Sequence, residues 1–533
     1  MEAQLTIPAI VRRAETFFGG AEIVSRRSDT STHRYRYTDM IERAKRLAVA
    51  LRDLGVRPGD RVATLAWNND RHLESYFAIT AIGAVLHTLN LRLHANELAY
   101  IIDHAEDRAL ILDESLLPLF EQCRSRVSVR HIIVMGGTEP MPAGMMDFEQ
   151  LVAAADPARF AYVDLDEREP AAMCYTSGTT GVPKGALYSH RAIALQSLNW
   201  LVADLVGIRQ RDVILPVVPM FHIQAWCLPF AAAMAGSTLV LPDRFQDPSS
   251  LLKLVAEEHV TVSAGAPAVW LAVLQALESS SHTRELESLQ KLVIGGSAAP
   301  KAAIQAFQER HGVTVIQAWG MTETTSVGLV NSLPADLESQ PPEVQYEWRA
   351  RQGVPPPFVE VRARGDRGLV PWDDVTLGEL EIRGPTVARA YYNSPESGDR
   401  FTDDLWFRTG DVVTINPRGC VQIHDRTNDM IRSGSEWISS VALENALLGH
   451  PAVAEAAVIA VPHPKWEERP LACVVLKPGC TATAQELRDH LALDFPKWWL
   501  PDATEFVDHI PRTSTGKLLK TALRDRFRDY LGR

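Results

Sequence analysis

One short stretch of the sequence, CYTSGTTGVPKGALYSH from Cys174 to His190, combines glycines, hydroxyl residues and a single lysine. Gly178, Gly181 and Gly185 allow backbone N–H groups to converge on an anion, and Lys184 adds a positive charge. This pattern predicts a phosphate-binding loop. The P-loop of nucleoside triphosphatases needs Ser or Thr directly after its lysine to hold magnesium, whereas Gly185 follows Lys184. The sequence therefore indicates a different phosphate chemistry.

Five further stretches contain residue types that bind nucleotides or assist group transfer. Each has an ordinary structural explanation when taken singly. Thr-Gly clusters usually form turns, and a Trp-Gly pair usually combines a buried aromatic residue with a turn. Their order and their joint presence in one chain favour a functional interpretation. They are PMFHIQAW (219–226), GGSAAP (295–300), QAWGMTETT (317–325), RTGD followed by DR (408–426) and TSTGK (513–517).

Together these motifs resemble the adenylate-forming superfamily of acyl-CoA synthetases, peptide-synthetase adenylation domains and beetle luciferases. The likeness covers essentially the whole chain, and VPMFHIQAWCLPFAA and DFPKWWLPD are most similar to bacterial medium- and long-chain fatty-acyl-CoA synthetases and methylmercaptopropionyl-CoA ligases. The resemblance implies that a carboxylate attacks the α-phosphate of ATP and expels pyrophosphate, after which coenzyme A displaces AMP. It also implies Mg²⁺, and a medium-chain fatty or similar apolar acid as substrate.

The resemblance further implies which residues bind the nucleotide. The opening loop would wrap the β- and γ-phosphates and help pyrophosphate to leave, through Thr176, Ser177, Gly178, Thr179, Thr180, Gly181 and Lys184. The adenine pocket would be lined by Gly296, Ser297, Ala298, Gln317, Ala318, Trp319, Gly320 and Met321. Asp411 and Arg426 would hold the ribose hydroxyls, as an acidic residue does in dinucleotide folds. Arg432 and Trp437 would contact the adenylate.

Four residues are the catalytic candidates. In-line attack at phosphorus places negative charge on the α-phosphate oxygens, which a fixed ammonium stabilises. The resemblance assigns that ammonium to Lys517, which the C-terminal domain supplies for adenylation and withdraws for thioester formation. Glu323 and the Thr176 hydroxyl would bind magnesium, since hard cations prefer oxygen ligands. Thr322 would contact the α-phosphate, and His222 would lie between the nucleotide and the acyl group.

The acyl side is less well defined by the sequence. Trp226 is similar to a tryptophan that gates the acyl tunnel of long-chain synthetases, although packing in the core explains it equally well. The stretch GAPAVW, with Gly265 and Trp270, is expected to wall the acyl pocket. No length of the acyl chain follows from these residues.

The departures from the family cluster near the C-terminus. The hinge position holds the uncharged Asn428 where relatives have Lys or Asp, and Gly434-Ser435 replaces Gly-Gly on the face that meets coenzyme A. Ala442 replaces a glutamate and Glu467 replaces a glycine. The adenylation residues are therefore intact, and these changes either slow thioester formation or are neutral.

Two other functions stay open on the sequence. An acyl-adenylate ligase could load a separate carrier protein instead of coenzyme A. A nucleotide-binding relative could be impaired in thioester formation, although Lys517 and Glu323 argue against pure binding. Thioester hydrolysis is disfavoured because no Gly-x-Ser-x-Gly nucleophile elbow is found.

Composition limits the class of protein. The 533 residues carry a net charge of −12, which argues against nucleic acid as a partner. The six cysteines form no CxxC pair, the N-terminus does not suit a signal peptide, and no apolar run reaches membrane-spanning length. We therefore expect a cytoplasmic enzyme that binds small molecules, and the resemblance implies a homodimer.

The elements that must position these residues alternate between helix and strand. YTDMIERAKRLAVALRDLG has helical periodicity and ends at Gly55, and DRVATLAW and DRALILD read as strands. We expect an α/β fold: an N-terminal domain over residues 1–425, with parallel-sheet layers and a small β-rich part. A proline-rich loop is expected near 338–358. The pattern after Arg426 predicts a small α+β domain over 426–533, and the resemblance implies that this domain is mobile and carries Lys517.

Overall fold

The computed structural model describes residues 3–137, 140–176, 182–279, 285–394, 398, 400–434, 436–512, 518–528 and 530. Within them the helices are α1 (Ile7–Phe18), α2 (Tyr37–Asp53), α3 (Asp70–Ala81), α4 (Ala95–His104), α5 (Leu117–Glu121), α6 (Phe148–Ala154), α7 (His190–Asn199), α8 (Ile223–Trp226), α9 (Leu228–Ala235), α10 (Pro248–Glu257), α11 (Pro267–Ser279), α12 (Lys301–His311), α13 (Pro342–Arg349), α14 (Ser440–Leu448), α15 (Ala484–Leu491) and α16 (Lys520–Arg526).

The strands run through the whole chain between these helices. They are β1 (Glu22–Arg26), β2 (Thr32–Arg36), β3 (Arg61–Leu65), β4 (Val85–Thr88), β5 (Asp107–Asp113), β6 (His131–Met135), β7 (Met146–Asp147), β8 (Pro170–Tyr175), β9 (Gly185–Ser189), β10 (Val213–Pro216), β11 (Thr238–Leu241), β12 (Val262–Gly265), β13 (Lys291–Gly295), β14 (Thr314–Trp319), β15 (Leu329–Val330), β16 (Glu360–Gly365), β17 (Gly368–Leu369), β18 (Gly378–Arg383), β19 (Phe407–Ile415), β20 (Val421–Arg426), β21 (Ile431–Ser433), β22 (Glu436–Ile438), β23 (Val453–His463), β24 (Glu467–Leu476) and β25 (Ala503–Phe506).

Two mostly parallel sheets form the larger part of the molecule. One has the order β15-β14-β13-β12-β10-β11-β1-β2, and the other has the order β7-β6-β5-β3-β4-β8-β9. Antiparallel strands lie at the ends, where β15, β2 and β9 pair with their neighbours. Helices pack against both sheets, as parallel strands joined by helical crossovers require. The expected α/β layers are confirmed.

Two smaller sheets complete the fold. An antiparallel sheet of order β17-β16-β18-β19-β20 is the expected β-rich part, and it ends at Arg426, where we predict the domain boundary. The C-terminal sheet has the order β22-β21-β24-β23, with β25 parallel to β24. Helices α14 and α15 pack on it around a core that includes Leu443, Leu447 and Leu487. The expected small C-terminal α+β unit is therefore confirmed as a fold.

One local prediction is wrong. The proline-rich segment expected to be a loop contains α13, which begins with Pro342 at its first position. Proline suits that position because its missing N–H would have no partner within the helix there. Tyr346 is the residue that α13 buries, in a hydrophobic cluster that also contains Trp270, Ile304 and Phe307.

Helix α7 shows how the sequence determines a local element. The side chain of Ser189 accepts a hydrogen bond from the Ala192 N–H and caps the first turn. The helix then buries nearly every face, including the polar side chains of Gln196, Ser197 and Asn199.

Across the described part of the chain, none of the helices has the length and apolarity needed to cross a membrane.

Candidate active site

A cavity of about 780 Å³ lies at the carboxyl ends of several strands, which is where ligands bind in open α/β sheets. Its walls include Thr88 at the end of β4, Gly295 at the end of β13 and Leu518 just before α16. Many predicted site residues line it: Thr176, Lys184, His222, Trp226, Gly296, Ala318, Trp319, Gly320, Met321, Thr322, Glu323, Arg426 and Asn428.

Strands β8 and β9 hold the two ends of the glycine-rich loop together. The Thr176 N–H donates to the Lys184 carbonyl at 2.9 Å, and the Lys184 N–H donates to Thr176 Oγ1 at 3.4 Å. The Lys184 ammonium lies 5.5 Å from the centre of the Tyr391 ring. The loop is thus closed at its base, and the predicted residues Ser177, Gly178, Thr179, Thr180 and Gly181 lie outside the described residues.

Two tyrosine hydroxyls fix the positions of Glu323 and Thr322 in the cavity wall. The Tyr391 hydroxyl donates to Glu323 Oε1, and the Tyr188 hydroxyl donates to the Thr322 carbonyl at 2.8 Å. Glu323 is buried, and its own carbonyl accepts from the Ala388 N–H at 2.7 Å. Burial and the Glu323 carboxylate raise the pKa of Tyr391, so its hydroxyl stays protonated and donating. Glu323 therefore has a fixed carboxylate beside Thr322.

Asp411 and Arg426 face each other across β19 and β20. Arg426 Nε lies 2.7 Å from Asp411 Oδ1, and the Trp319 indole N–H donates to Asp411 Oδ2 at 3.1 Å. Asp411 is buried and does not itself line the cavity, whereas Arg426 and Trp319 do. The aspartate therefore orients Arg426 and Trp319, the two neighbours that do line the cavity.

Two residues predicted for the adenine pocket serve to shape it. The Gln317 amide accepts from the Ala299 N–H at 2.6 Å and donates to the Ala350 and Arg351 carbonyls, so it ties three segments together. A Cβ at Gly320 would lie 1.5 Å from the Ser326 carbonyl oxygen, so only glycine fits there. Ser297 and Ala298 are not among the lining residues, although Gly296 is.

The segment between His222 and α9 has an unusual backbone. Ile223 to Cys227 are five successive non-glycine residues with φ between 46° and 64°, so α8 is a left-handed turn. Each such residue costs about 1–2 kcal/mol, and strain of this kind clusters at functional sites. Trp226 lines the cavity at the end of the turn, and its carbonyl accepts from the Trp200 indole N–H at 2.7 Å. None of the sequence motifs predicts this left-handed turn.

Several predicted residues lie elsewhere. Gly265 and Trp270 do not line the cavity; they pack against each other, and the fully buried Trp270 belongs to the same hydrophobic cluster as Tyr346. Gly265 must be small because a Cβ there would lie 2.7 Å from the Trp270 indole nitrogen. The two residues therefore form no part of the large cavity, and their place in the wall of the acyl pocket stays a prediction.

Gly434, which is predicted for the coenzyme A face, does not line the cavity, and neither do Arg432 and Trp437, which are predicted to contact the adenylate. The Arg432 guanidinium lies 5.9 Å from the Trp437 ring centre, and Trp437 is 48% exposed. Gly434 donates its N–H to the Trp466 carbonyl at 2.8 Å. Ser435 and Lys517 lie outside the described residues, but Leu518, which follows Lys517, lines the cavity together with Lys520.

A buried charge network that the sequence reasoning missed connects α16 to the rest of the protein. Lys520 Nζ lies 2.7 Å from Glu444 Oε1 and donates to Ser440 Oγ, whose backbone N–H donates to Asp425. Burial lowers the pKa of Lys520, but the Glu444 and Asp425 carboxylates raise it by more, so the ammonium stays charged. Arg524 pairs with Asp429 at 2.6 Å. The lysine three residues after Lys517 was the available signal.

With this geometry in hand, comparison with known proteins identifies the relatives. A family described as AMP-binding enzyme matches residues 12–392, and the AMP-binding enzyme C-terminal domain matches residues 442–517. A long-chain-fatty-acid–CoA ligase of Thermus thermophilus is 48% identical over 100% of this chain and 97% of that protein. A 3-methylmercaptopropionyl-CoA ligase of Ruegeria pomeroyi is 42% identical over 100% and 99%, respectively.

Solved structures agree over the same extent. The anthranilate CoA ligase AuaEII in complex with anthranoyl-AMP superposes with a TM-score of 0.88 at 26% identity, covering 99% of this chain and 98% of that one. ATP-bound MatB from Rhodopseudomonas palustris has a TM-score of 0.84 at 26% identity, covering 98% and 99%. The similarity therefore extends through the large and the small parts of the fold.

Proposed function

Because this chain belongs to the AMP-binding enzyme family and is an acid–thiol ligase that forms acyl-CoA through an acyl-adenylate, we propose that its acid is a medium- to long-chain fatty or similar apolar acid. The supporting observation is the composition of the cavity wall. Its wall includes the charged residues Lys184, Glu323 and Arg426 and the apolar residues Phe221, Ile223 and Trp226. The charged residues suit the triphosphate, and the apolar residues suit a hydrocarbon tail. The names of the relatives point to the same class of acid.

The first half-reaction places the acid carboxylate against the α-phosphate. A carboxylate oxygen forms a bond to phosphorus while the bond to the pyrophosphate oxygen breaks, and the electron pair leaves with pyrophosphate. We assign Thr176 and Lys184 to the leaving phosphates and Thr322 to the α-phosphate. We assign Lys517 to the charge that develops on the α-phosphate oxygens.

The residues present fit a magnesium ion. Mg²⁺ is usually held by one or two carboxylates together with substrate phosphates, and the fixed Glu323 carboxylate and Thr176 both line the cavity. When bound, the ion would neutralise charge on the phosphates. The Tyr391 hydroxyl keeps the Glu323 carboxylate oriented toward that role.

The second half-reaction needs a different arrangement of the small domain. The thiol of coenzyme A attacks the acyl carbonyl carbon, and the carbon–oxygen bond to AMP breaks. We assign residues 1–425 and 426–533 to the two domains and Asn428 to the hinge. Rotation there would withdraw Lys517 and bring Gly434 and Ser435 to the cavity. We also propose a homodimer, which the resemblance to this family implies.

A pyrophosphate-release assay tests the proposal. The full chain is incubated with ATP, Mg²⁺ and a panel of apolar, aromatic and short acids, each with and without coenzyme A. We expect sustained release only with coenzyme A, and the highest kcat/KM with medium- to long-chain acids. A preference for short or aromatic acids would overturn the substrate class. A single burst that coenzyme A does not extend would point to a carrier protein as the acyl acceptor.

A further inference from the structure

A second, small cavity adjoins the large one near Trp226. It has a volume of about 10 Å³, which holds about one water-sized group. Ala318 and Val327 line both cavities, so the two cavities adjoin at these residues. Trp200 lines the small cavity and donates its indole N–H to the carbonyl of Trp226, which lines the large one. The small cavity therefore adjoins the part of the large cavity that Trp226 lines.

Most of its wall is apolar, but two buried amides of α7 face it. The apolar wall includes Leu205, Val206, Val293 and Val330. Gln196 is 1% exposed and Asn199 is 7% exposed, and both line the cavity. Gln196 Oε1 and Asn199 Nδ2 are buried, and neither has a hydrogen-bond partner among the residues that the structure describes. Such groups are rare, because an unpaired buried donor or acceptor loses its hydration without compensation.

The two unpaired atoms have opposite hydrogen-bonding character. Gln196 Oε1 accepts a hydrogen bond, and Asn199 Nδ2 donates one. A hydroxyl group matches both, since its hydrogen can be donated while its oxygen accepts. A methyl group of the same size would fill the space and leave both amides unpaired. The pair therefore discriminates between a polar and an apolar chain end.

We propose that this cavity is a recognition site for the far end of the acyl chain and selects an acid with a terminal hydroxyl group. The hydroxyl would donate to Gln196 Oε1 and accept from Asn199 Nδ2, with the chain passing between Ala318 and Val327. The inference rests on the proposed function, because it specifies the acid that the same enzyme activates. Gln196 and Asn199 would act on specificity and take no part in the chemistry.

The test compares plain fatty acids of six to fourteen carbons with ω-hydroxy acids of the same lengths, using coenzyme A-dependent pyrophosphate release by the full chain. At the length that reaches the small cavity, we expect kcat/KM to be about 10- to 100-fold higher for the hydroxy acid. At shorter lengths the order reverses, because the hydroxyl would lie in the apolar part of the large cavity. In Gln196→Leu and Asn199→Leu, the advantage of the long hydroxy acid is lost and the plain acid improves.

The controls separate this inference from a folding defect. Hexanoate is too short to reach the cavity, so its kcat/KM should be the same in wild type and both variants. Leu198→Ala, at a 47% exposed position of the same helix, should leave every ratio unchanged. Plain acids that are preferred at all lengths, or a hydroxy preference that survives both substitutions, would overturn the inference alone. Absence of turnover with every acid would overturn the proposed function, and this inference with it.

Discussion

On the nucleotide side of the cavity the polar side chains are buried and already hydrogen-bonded, whereas on the face around Gly434 the large side chains are exposed. Asp411 and Glu323 are 2% and 5% exposed, and each is held by neighbouring donors. Trp466, whose carbonyl accepts from the Gly434 N–H, is 43% exposed, and the neighbouring Glu467 side chain is 59% exposed. The two faces would serve the two half-reactions of the same enzyme. We can therefore compare how far the side chains of each face are buried and hydrogen-bonded before any substrate binds.

The difference has a physical reason. Stabilising charge at the α-phosphate works best with groups that need no reorganisation during the reaction, and buried hydrogen bonds supply that rigidity. A face that meets coenzyme A only after a domain rotation must be compatible with water in the meantime. We therefore expect substitutions on the nucleotide side to cost more than substitutions on the exposed face.

The largest effect should come from Lys517→Ala. Loss of the ammonium should lower the rate of acyl-adenylate formation by about 10²- to 10³-fold, while thioester formation from added acyl-adenylate stays near the wild-type rate. The two half-reactions are measured separately by pyrophosphate–ATP exchange and by thioester release. Lys253→Ala, at a solvent-exposed helix position, is the matched control. An equal loss in both half-reactions would contradict the assignment.

Lys520→Met should weaken the attachment of α16. It leaves Glu444 buried without its partner, which costs about 3–5 kcal/mol, and we expect urea unfolding of the C-terminal part at lower concentration. The double variant Lys520→Met, Glu444→Leu removes both charges and should recover most of that loss. A single variant as stable as the double one would show that the ion pair is not the link.

Asp411→Ala should raise the KM for ATP by about 10- to 100-fold, because charge-assisted hydrogen bonds contribute roughly 1.5–3 kcal/mol. The KM for coenzyme A should stay unchanged, which is the contrast between the two faces. Asp336→Ala, which removes only an exposed pair with Arg418, should leave both constants unchanged. A change in the KM for coenzyme A as large as that for ATP would break the comparison.

Glu467→Gly should have the smallest effect. Glu467 adopts φ 64°, which glycine adopts without steric cost, so the substitution should stabilise the C-terminal part by up to about 1 kcal/mol. The Arg432–Glu467 pair that it removes is exposed and contributes little. Thioester formation should change by less than about twofold. A large gain in that rate would mean that Glu467 slows the second half-reaction.

Much of the fold followed from local pattern. Helical periodicity ending at Gly55 and the alternation of helix and strand indicated parallel sheets, and these form. The proline-rich segment is predicted to be a loop, yet Pro342 begins helix α13. Proline is tolerated at the first position of a helix, and the burial of Tyr346 against distant residues favours the helix here. The positive φ of Glu467 also does not follow from the local sequence pattern, since it depends on the turn in which the residue lies.

The sequence by itself determined the family, the reaction type and the order of the motifs, because those depend on residue types at fixed spacing. Only the tertiary structure decided which residues meet. Trp319 and Asp411 are 92 positions apart and share a hydrogen bond; Gly265 and Trp270 pack into the core instead of the cavity. The unpaired amides of Gln196 and Asn199 could not be foreseen either. Burial and hydrogen bonding are properties of neighbours in space, and a single sequence does not specify those neighbours.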